Sequence, residues 1–325
     1  MAPAGPTGWS APRAKPALAE YHRPVMFEVT VLGSGASLPT LHRNTTAVAV
    51  QRQSDVFLFD CGEATQIQWR RAGLRFSKLR AICISHLHGD HINGLVGLLQ
   101  TLSLAGREQR LLLVGPAGIE SFIDAARRHL GLRLTYELEL HESGGGEALS
   151  RPGYRLLCAP LDHGIATLGF SLVEAPKPGR FDVEAAQRLG VPDGPLYGRL
   201  QRGEPVELDG GSRVTPEQVL GEPRPGSKVA YCVDTRPCDG AVELAAGADL
   251  FICDATFGEE MTLEAGRRGH STARQAAEMA ARAGARRLLL IHISARYHDP
   301  RGLLEEAAAV FPEVEVARDL MELSV

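Results

Sequence analysis

Short apolar runs alternate with longer amphipathic stretches along most of the chain. Three runs near the start, FEVTVLG, AVAVQRQ and VFLFDCG, are rich in β-branched and aromatic residues, which predicts strands. A fourth run, LRAICIS, is almost continuously apolar towards its end, as expected for a strand covered on both faces. Between the last two runs, residues 63–72 are predicted to form a helix.

The same rhythm continues to the end of the chain. Further strands are predicted at LLLVG, RLLCAP, LGFSLVE, KVAYCVD, DLFICD and RRLLLIHIS, and helices at IESFIDAARRHLG and ARQAAEMAARAG. The last three of these strands each end in a polar, potentially reactive residue. Strands that alternate with helices in both halves predict an α/β fold, in which two sheets are flanked by helices.

Two segments break this rhythm. Residues 1–24 are rich in Ala, Pro and Gly without periodicity, which predicts a disordered extension ahead of a folded domain at 25–325. Residues 175–213, which we call the arm, are dense in Gly, Pro and charged residues and too long for an ordinary connection. Between 176 and 203 the arm has five basic and three acidic residues, a net charge of +2. A mixed-charge solvated loop is the alternative interpretation, but the glycines and prolines favour a protruding hairpin.

Composition narrows the class of protein. The chain has 325 residues and a net charge of −4, so it is not a uniformly basic nucleic-acid binder, and any such contact needs a local patch. Six cysteines lie apart without a C-x-x-C pair, which predicts reduced thiols and a cytoplasmic protein. Neither a membrane helix nor a signal peptide is predicted, so no membrane association is expected.

The densest chemical signal is an H-x-H-x-D-H motif. His86, His88, Asp90 and His91 follow the buried LRAICIS strand, and therefore lie on a loop at its carboxyl end. One zinc ion takes about four ligands, and the four side chains of one short loop cannot all converge on one ion. Two ions, about 3.5–4 Å apart, fit this spacing better. Isolated histidines would suggest a surface loop instead, but four such residues in six positions do not.

This motif resembles the signature of the metallo-β-lactamase superfamily. That superfamily takes further ligands from later strand ends, in the order His, Asp, His. His163, Asp234 and His292 match that order at the ends of predicted strands. Each has an ordinary alternative when taken alone, since Asp234 could cap a helix and either histidine could be a satisfied core residue.

Other strings resemble the ribonuclease Z family more closely. They are LGSGA with the following PT and RN, FDCGE, YCVDTRPC, HST from His270, and HISARY from His292. The arm resembles that family's flexible tRNA-binding arm, with GPLYG at its Gly-Pro motif. The resemblance covers roughly residues 26–320, and the N-terminal extension departs from it.

The resemblance implies a metallo-β-lactamase αββα sandwich with an inserted flexible arm and two zinc ions per subunit. These ligand types also accommodate Mn²⁺. One ion would take His86, His88 and His163, and the other Asp90, His91 and His292, with Asp234 as the bridge. Asp90 would also accept the proton of the attacking water. His270 would act as an acid or hydrogen-bond donor, unless HST merely begins a helix. Substrate contacts are expected at Lys177, Arg180, Gly194, Pro195 and Arg199.

The activity implied by the resemblance is a zinc-dependent endoribonuclease that removes the 3′ trailer of precursor tRNA and leaves a 3′-hydroxyl. The resemblance also implies a homodimer in which the arm of one subunit grips the tRNA cut by the other. The alternative is another binuclear metallo-hydrolase of the same fold, such as a small-molecule phosphodiesterase, a thioesterase or a lactonase. The arm and the HST string argue against that alternative.

Overall fold

The computed structural model describes residues 27–325, and the predicted extension at 1–24 lies outside them. Its strands are β1 (Phe27–Gly33), β2 (Ala47–Arg52), β3 (Asp55–Phe59), β4 (Leu79–Cys83), β5 (Leu111–Gly115), β6 (Leu138–Glu142), β7 (Gly146–Arg151), β8 (Tyr154–Pro160), β9 (Leu168–Glu174), β10 (Val206–Glu207), β11 (Arg213–Val214), β12 (Lys228–Cys232), β13 (Leu250–Asp254), β14 (Leu288–Ile291), β15 (Val314–Val316) and β16 (Glu322–Ser324). Its α-helices are α1 (Thr65–Arg71), α2 (Gly89–Ile92), α3 (Leu95–Leu104), α4 (Ile119–His129), α5 (Val183–Arg188), α6 (Pro195–Gln201), α7 (Asp239–Ala245), α8 (Thr262–Arg268), α9 (Ala273–Ala283) and α10 (Arg301–Ala308).

Fourteen of the strands form two seven-stranded sheets. The first has the order β16-β1-β2-β3-β4-β5-β6 and the second the order β15-β14-β13-β12-β9-β8-β7. Strands β3 to β6 are parallel to one another, and so are β12 to β15. Because parallel strands point the same way, the residues that follow β4, β12, β13 and β14 emerge at the carboxyl edges of their sheets.

Three apolar cores separate four layers. One core, with Phe59, Phe170 and Tyr231, fills the space between the sheets, where the rings of Phe59 and Tyr231 stack at 5.4 Å. A second core contains side chains of α1, α3 and α4 and of the first sheet, and a third contains side chains of α7, α9 and α10 and of the second sheet. Burial on both faces explains why most of the central strands are nearly continuous apolar runs. The arrangement confirms the predicted αββα sandwich.

The strands predicted from apolar runs are all confirmed, but several elements were not predicted. Strand β6 has the sequence LELHE and lies at a sheet edge with none of its five residues fully buried, so its apolar signal is weak. Strands β15 and β16 are only three residues long. Helix α1 is also shorter than the predicted range of 63–72.

The arm contains more regular structure than its composition suggested. Helices α5 and α6 and the β10–β11 hairpin pack around a small apolar core of their own, formed by Ala186, Val191, Leu200, Val206, Val214 and Val219. Isolated bridges pair Lys177 with Arg224 and Phe181 with Leu220, and we call this paired region the stem. The inserted unit therefore continues past the predicted boundary at 213.

The end of the chain fastens the loop between β1 and β2. Asp319 accepts hydrogen bonds from the backbone N–H and the hydroxyl of Ser34, at 3.0 and 2.7 Å, and from the N–H of Asn44 at 2.7 Å. Strand β16 then pairs with β1 in antiparallel register. All six cysteines are free thiols, and five of them are buried. No helix within residues 27–325 is long and apolar enough to cross a membrane.

Candidate metal centre

The seven predicted metal ligands meet at the carboxyl edges of the two sheets. Four of them, His86, His88, Asp90 and His91, lie on the segment that runs from β4 into α2. The other three follow strands of the second sheet: His163 after β8, Asp234 after β12 and His292 after β14. The site is thus assembled from both sheets.

Their ligand atoms form two adjacent groups. In the first group, His88 Nδ1 lies 3.0 Å from His86 Nε2 and 3.2 Å from His163 Nε2. In the second group, His292 Nε2 lies 3.2 Å from Asp90 Oδ2 and 3.3 Å from His91 Nε2.

Asp234 lies between the two groups. Its Oδ2 atom is 3.6 Å from His86 Nε2 and 3.9 Å from His163 Nε2 in the first group, and 3.4 Å from His91 Nε2 in the second. One carboxylate oxygen therefore reaches ligand atoms of both groups. This is the position that a bridging ligand between two ions requires.

These separations suit divalent metal ions. Ligands at 2.0–2.2 Å around a tetrahedral zinc ion lie about 3.3 Å from one another, close to the distances within each group. Asp234 Oδ1 is buried and has no hydrogen-bond partner among the described residues, although it lies 3.1 Å from His292 Nδ1. A buried carboxylate without such partners is costly unless a cation compensates it. The residues present therefore fit two ions, and imidazole with carboxylate suits zinc.

A shell of polar groups orients the imidazole rings. Asp60 Oδ2 lies 2.7 Å from His91 Nδ1, and it also accepts hydrogen bonds from the hydroxyls of Tyr231 and Ser85, at 2.7 and 2.8 Å. Such a contact fixes the N–H on Nδ1 and leaves the Nε2 lone pair for a metal. The Gly269 carbonyl oxygen plays the same part for His163, at 2.8 Å from Nδ1.

The electrostatics favour ligation. Burial, together with the neighbouring imidazole of His91, holds the pKa of His86 well below its usual value, so this ring is neutral as metal binding requires. Burial opposes ionisation of Asp90, but hydrogen bonds with His292 and His91 hold the pKa of this carboxyl below its usual range. The backbone N–H of Ser37 also donates to Asp90 Oδ2, at 2.7 Å.

His270 lies beside these two groups and pairs with a carboxylate of its own. Its Nδ1 is 2.9 Å from Asp254 Oδ2, and its side chain is only 12% exposed. Burial lowers the pKa of His270, but the carboxylates of Asp254 and Asp234 outweigh it and raise the pKa to about 9. The two carboxylates thus favour the protonated ring, which is the form that a general acid needs.

Asp254 could in principle hold a cation instead. Asp234, Asp254, His270 and His292 have ligand atoms within 4.8 Å of one another. However, both oxygens of Asp254 already accept hydrogen bonds, Oδ2 from the Thr235 N–H at 3.1 Å and Oδ1 from Thr256 Oγ1 at 2.7 Å. We therefore assign Asp254 as the partner of His270.

The roles of the supporting residues Asp60, Tyr231, Asp254 and Thr256 were not predicted from the sequence. The sequence positions of two of them could have revealed their role. Asp254 is the polar end of the apolar run DLFICD, and Asp60 is the acid of FDCGE. A carboxylate placed directly after a buried strand is a candidate for the carboxyl edge of a sheet, and that position could have singled out both.

The two ligand groups open onto a cleft of about 490 Å³. It is lined by Ser37, His88, Gly89, Asp90, Asn93, His163, Asp234, Arg268, His270 and His292. A larger cavity of about 680 Å³ lies within the inserted unit, among residues such as Pro178, Gln201 and Leu220, but it contains no group of metal ligands. The chemistry therefore belongs to the smaller, polar cleft.

The five predicted substrate-binding residues lie in the arm or its stem, and none of them lines the cleft. Lys177 lies 3.1 Å from Glu174, and Arg199 lies 3.2 Å from Glu204, so part of the predicted positive charge is offset. Arg180 is exposed. Gly194 precedes α6 with a φ of 133°, a conformation that favours glycine, and Pro195 is the first residue of α6.

The chain is similar in sequence and in fold to known metallo-β-lactamase proteins. A profile of the beta-lactamase superfamily domain matches residues 204–293, and one of the anti-Pycsar protein Apyc1 matches residues 27–122. A metallo-beta-lactamase fold protein of Bacillus subtilis superposes with a TM-score of 0.66 over 92% of this chain and all of its own, at 21% identity. Together, the fold and the site define a member of the metallo-β-lactamase superfamily.

Closer relatives identify the family. Ribonuclease Z of Methanosarcina acetivorans is 44% identical over 301 residues, which are 92% of this chain and 98% of that protein. Ribonuclease Z of Myxococcus xanthus is also 44% identical, over 90% of this chain and 96% of its own. The short form of human tRNase Z superposes with a TM-score of 0.68 at 28% identity, over 92% of this chain and 99% of its own. The chain belongs to the ribonuclease Z family of endoribonucleases.

Proposed function

We propose that this endoribonuclease removes the 3′ trailer from precursor tRNA and leaves a 3′-hydroxyl on the tRNA, with two zinc ions at the metal centre. The observation that carries the proposal is the presence in one cleft of two ligand groups and of His270 paired with Asp254, in a chain similar to ribonuclease Z over nine-tenths of its length. That similarity favours a nuclease over a thioesterase, a lactonase or a small-molecule phosphodiesterase.

The seven ligands would hold the ions in the two groups described above, with Asp234 Oδ2 between them. When bound, two such ions supply an activated water and stabilise the negative charge that develops on the phosphate. Asp90 lies at the open side of the second group, where its carboxylate lines the cleft. We assign it as the group that accepts the proton of the attacking water.

In the proposed reaction, His270 acts on the oxygen that leaves the phosphate. Hydrolysis of a phosphodiester expels an oxygen, and that oxygen leaves more readily when it is protonated. Because Asp254 occupies Nδ1 of His270, the Nε2 N–H remains to donate a proton to the leaving oxygen or a hydrogen bond to the phosphate. Asp254 fixes the ring and favours its charged form, so it acts as a positioning residue.

The arm would bind the body of the tRNA rather than take part in the chemistry. Its predicted contacts, Lys177, Arg180, Gly194, Pro195 and Arg199, lie outside the cleft. We also propose a cytoplasmic homodimer in which the arm of one subunit grips the tRNA cut by the other. Mixing a subunit that lacks the arm with a subunit that lacks His270 should then restore cleavage. Mixtures without activity would contradict the dimer arrangement.

The proposed function is tested with precursor tRNAs that carry or lack an encoded CCA. The cut is mapped to one nucleotide, and the chemistry of both new ends is determined. We expect a single cut at the 3′ side of the acceptor stem, a 3′-hydroxyl on the tRNA, and complete loss of cleavage in excess chelator. Cleavage that is insensitive to chelator would contradict the metal mechanism. Uncut precursors, with hydrolysis of small esters retained, would contradict the tRNA substrate.

A further inference from the structure

One cleft-lining residue has no part in metal binding or proton transfer. Arg268 is the last residue of α8, and its exposed side chain lines the cleft together with His88, Asp90 and His270. Its Nε donates to Glu264 Oε1 at 2.6 Å, one turn earlier on the same helix. Its two terminal amino groups make no hydrogen bond to any residue within 27–325, so a fork of N–H donors is available to a ligand.

The backbone that follows Arg268 is held firmly against the metal centre. Gly269 has a φ of 82°, and its carbonyl oxygen lies 2.8 Å from His163 Nδ1. A Cβ atom at this position would lie only 2.6 Å from the same nitrogen, so glycine permits this close approach. The N–H of His270 donates to the Ala265 carbonyl at 2.9 Å. The backbone directly after Arg268 is therefore anchored to a proposed metal ligand and leads into the proposed acid.

The positive charge of Arg268 indicates which kind of ligand its two terminal amino groups can bind. Among the described residues that line the cleft, it is the one with a permanent positive charge, since the others are histidines, aspartates and small uncharged residues. A ribonucleic acid brings one negative phosphate per nucleotide. When the scissile phosphate lies at the two ligand groups, the adjacent phosphates of the RNA strand must lie against the walls of the cleft. A planar guanidinium is well suited to bind such a phosphate through two parallel hydrogen bonds.

We propose that Arg268 binds the phosphate adjacent to the scissile one, and that this contact gives the cleft its preference for a polynucleotide over a simple diester. The inference rests on the proposed function and extends it to a substrate-binding residue in the cleft. A contact to a phosphate one nucleotide away fixes the register of the strand, and therefore helps to choose which bond is cut.

The test compares Arg268→Ala with Arg267→Ala as a matched control. Arg267 is the neighbouring exposed arginine, it does not line the cleft, and it makes no ion pair within the described part of the chain. We measure kcat/KM for precursor tRNA and for bis(p-nitrophenyl) phosphate, which has no adjacent phosphate. For Arg268→Ala, the ratio of the two values should fall about 10- to 100-fold, as expected for a charged hydrogen-bonded contact. The ratio should not change for Arg267→Ala, and all three proteins should contain equal zinc.

A second set of substrates locates the contact. Precursor tRNAs carry a neutral methylphosphonate in place of the phosphate on either the 5′ or the 3′ side of the scissile one. One of the two substitutions should slow the wild-type enzyme as much as Arg268→Ala does, and should slow Arg268→Ala no further. The variant should also lower the dependence of log affinity on log salt by about one unit.

The outcomes separate the two hypotheses. If the wild-type enzyme cuts precursor tRNA and Arg268→Ala cuts it with the same efficiency, the inference is wrong and the proposed function stands. The inference is also wrong if both methylphosphonates impair the variant as strongly as the wild type. If the wild-type enzyme hydrolyses the small ester and leaves precursor tRNA intact, the proposed function fails and the inference fails with it.

Discussion

At the scale of single residues, the site depends on carboxylates that act through imidazoles. Asp60 orients His91 and Asp254 orients His270, at 2.7 and 2.9 Å, but the two pairs serve opposite purposes. The first would leave the Nε2 lone pair of His91 free for a metal ion, whereas the second would favour a proton on a ring that lines the cleft. The difference follows from position, since Nε2 of His91 lies beside Asp234 and His292, whereas His270 is outside both ligand groups.

The first prediction concerns His270. His270→Ala removes the proposed acid without removing a metal ligand, so kcat for precursor tRNA should fall roughly 10²–10⁴-fold. Zinc content and tRNA affinity should change little. The control is His129→Ala, because His129 is an exposed residue at the end of α4, and this variant should keep full activity. If His270→Ala lost zinc, His270 would be a ligand and the assignment to proton transfer would be wrong.

The second prediction concerns pH. The pKa of His270 is raised to about 9 because the carboxylates of Asp254 and Asp234 outweigh the effect of burial, so the protonated acid is lost as pH rises through that value. The kcat of the wild-type enzyme should therefore decline on the alkaline side. Asp254→Asn removes one negative charge and lowers the pKa of His270, and so should move this decline to lower pH. Measured pH profiles of kcat that coincide for both proteins would contradict the pairing.

At the scale of elements, the arm is an insertion with its own apolar core. Phe181 and Tyr197 contact each other, with ring centroids 4.7 Å apart, and Asp182 caps α5 by accepting from the Ala185 N–H. The stem closes the insertion at Lys177 and Arg224, so its two ends lie side by side where it leaves β9 and enters β12. Such a unit can be removed without displacing β9 or β12.

The third prediction follows from that geometry. Replacing residues 178–223 with a short turn should leave a folded, zinc-containing protein, because every proposed ligand lies outside this range. Hydrolysis of bis(p-nitrophenyl) phosphate should continue, whereas precursor tRNA cleavage should be largely lost through weaker binding, measured as a higher Kd. An armless variant that cleaves precursor tRNA with the parent Kd and rate would show that the insertion has a different role.

The sequence predicted the elements whose signal is local. The runs FEVTVLG and DLFICD are strands in the structure, because strands buried on both faces must be apolar. The short helices of the arm were not predicted, because six or seven residues interrupted by Gly and Pro carry little periodicity. The H-x-H-x-D-H motif was recognisable because its four residues lie within six consecutive positions. The partnership of Asp254 with His270 was not, because only the folded chain brings these two strand and loop ends together.

At the scale of the whole molecule, the candidate metal centre takes its proposed ligands from both sheets. His86, His88, Asp90 and His91 belong to the first sheet and the loop after it, whereas His163, Asp234 and His292 belong to the second. Each ligand group contains residues from both. Bound ions would therefore connect the two halves of the sandwich as well as perform chemistry.

The fourth prediction is that metal stabilises the fold. Purified protein should contain about two zinc ions per chain, and chelation should lower the Tm by several degrees, because a ligand that binds only the folded state stabilises it by about 2.7 kcal/mol at a hundredfold excess over Kd. Asp234→Ala should show a smaller shift on chelation, because it lacks the shared ligand. A stoichiometry of one or less in a fully active sample would contradict the two-ion centre.

The position of the last ligand also matters while the chain is being synthesised. Of the seven proposed ligands, His292 comes last along the chain. Asp319 and β16, which fasten the loop beside the cleft and the edge of the first sheet, come later still. A nascent chain on the ribosome therefore lacks the complete proposed ligand set until residue 292 has been translated. A prematurely terminated chain that ends before His292 lacks one member of the proposed second ligand group, so we expect a ribosome-bound or truncated chain to be unable to cut RNA.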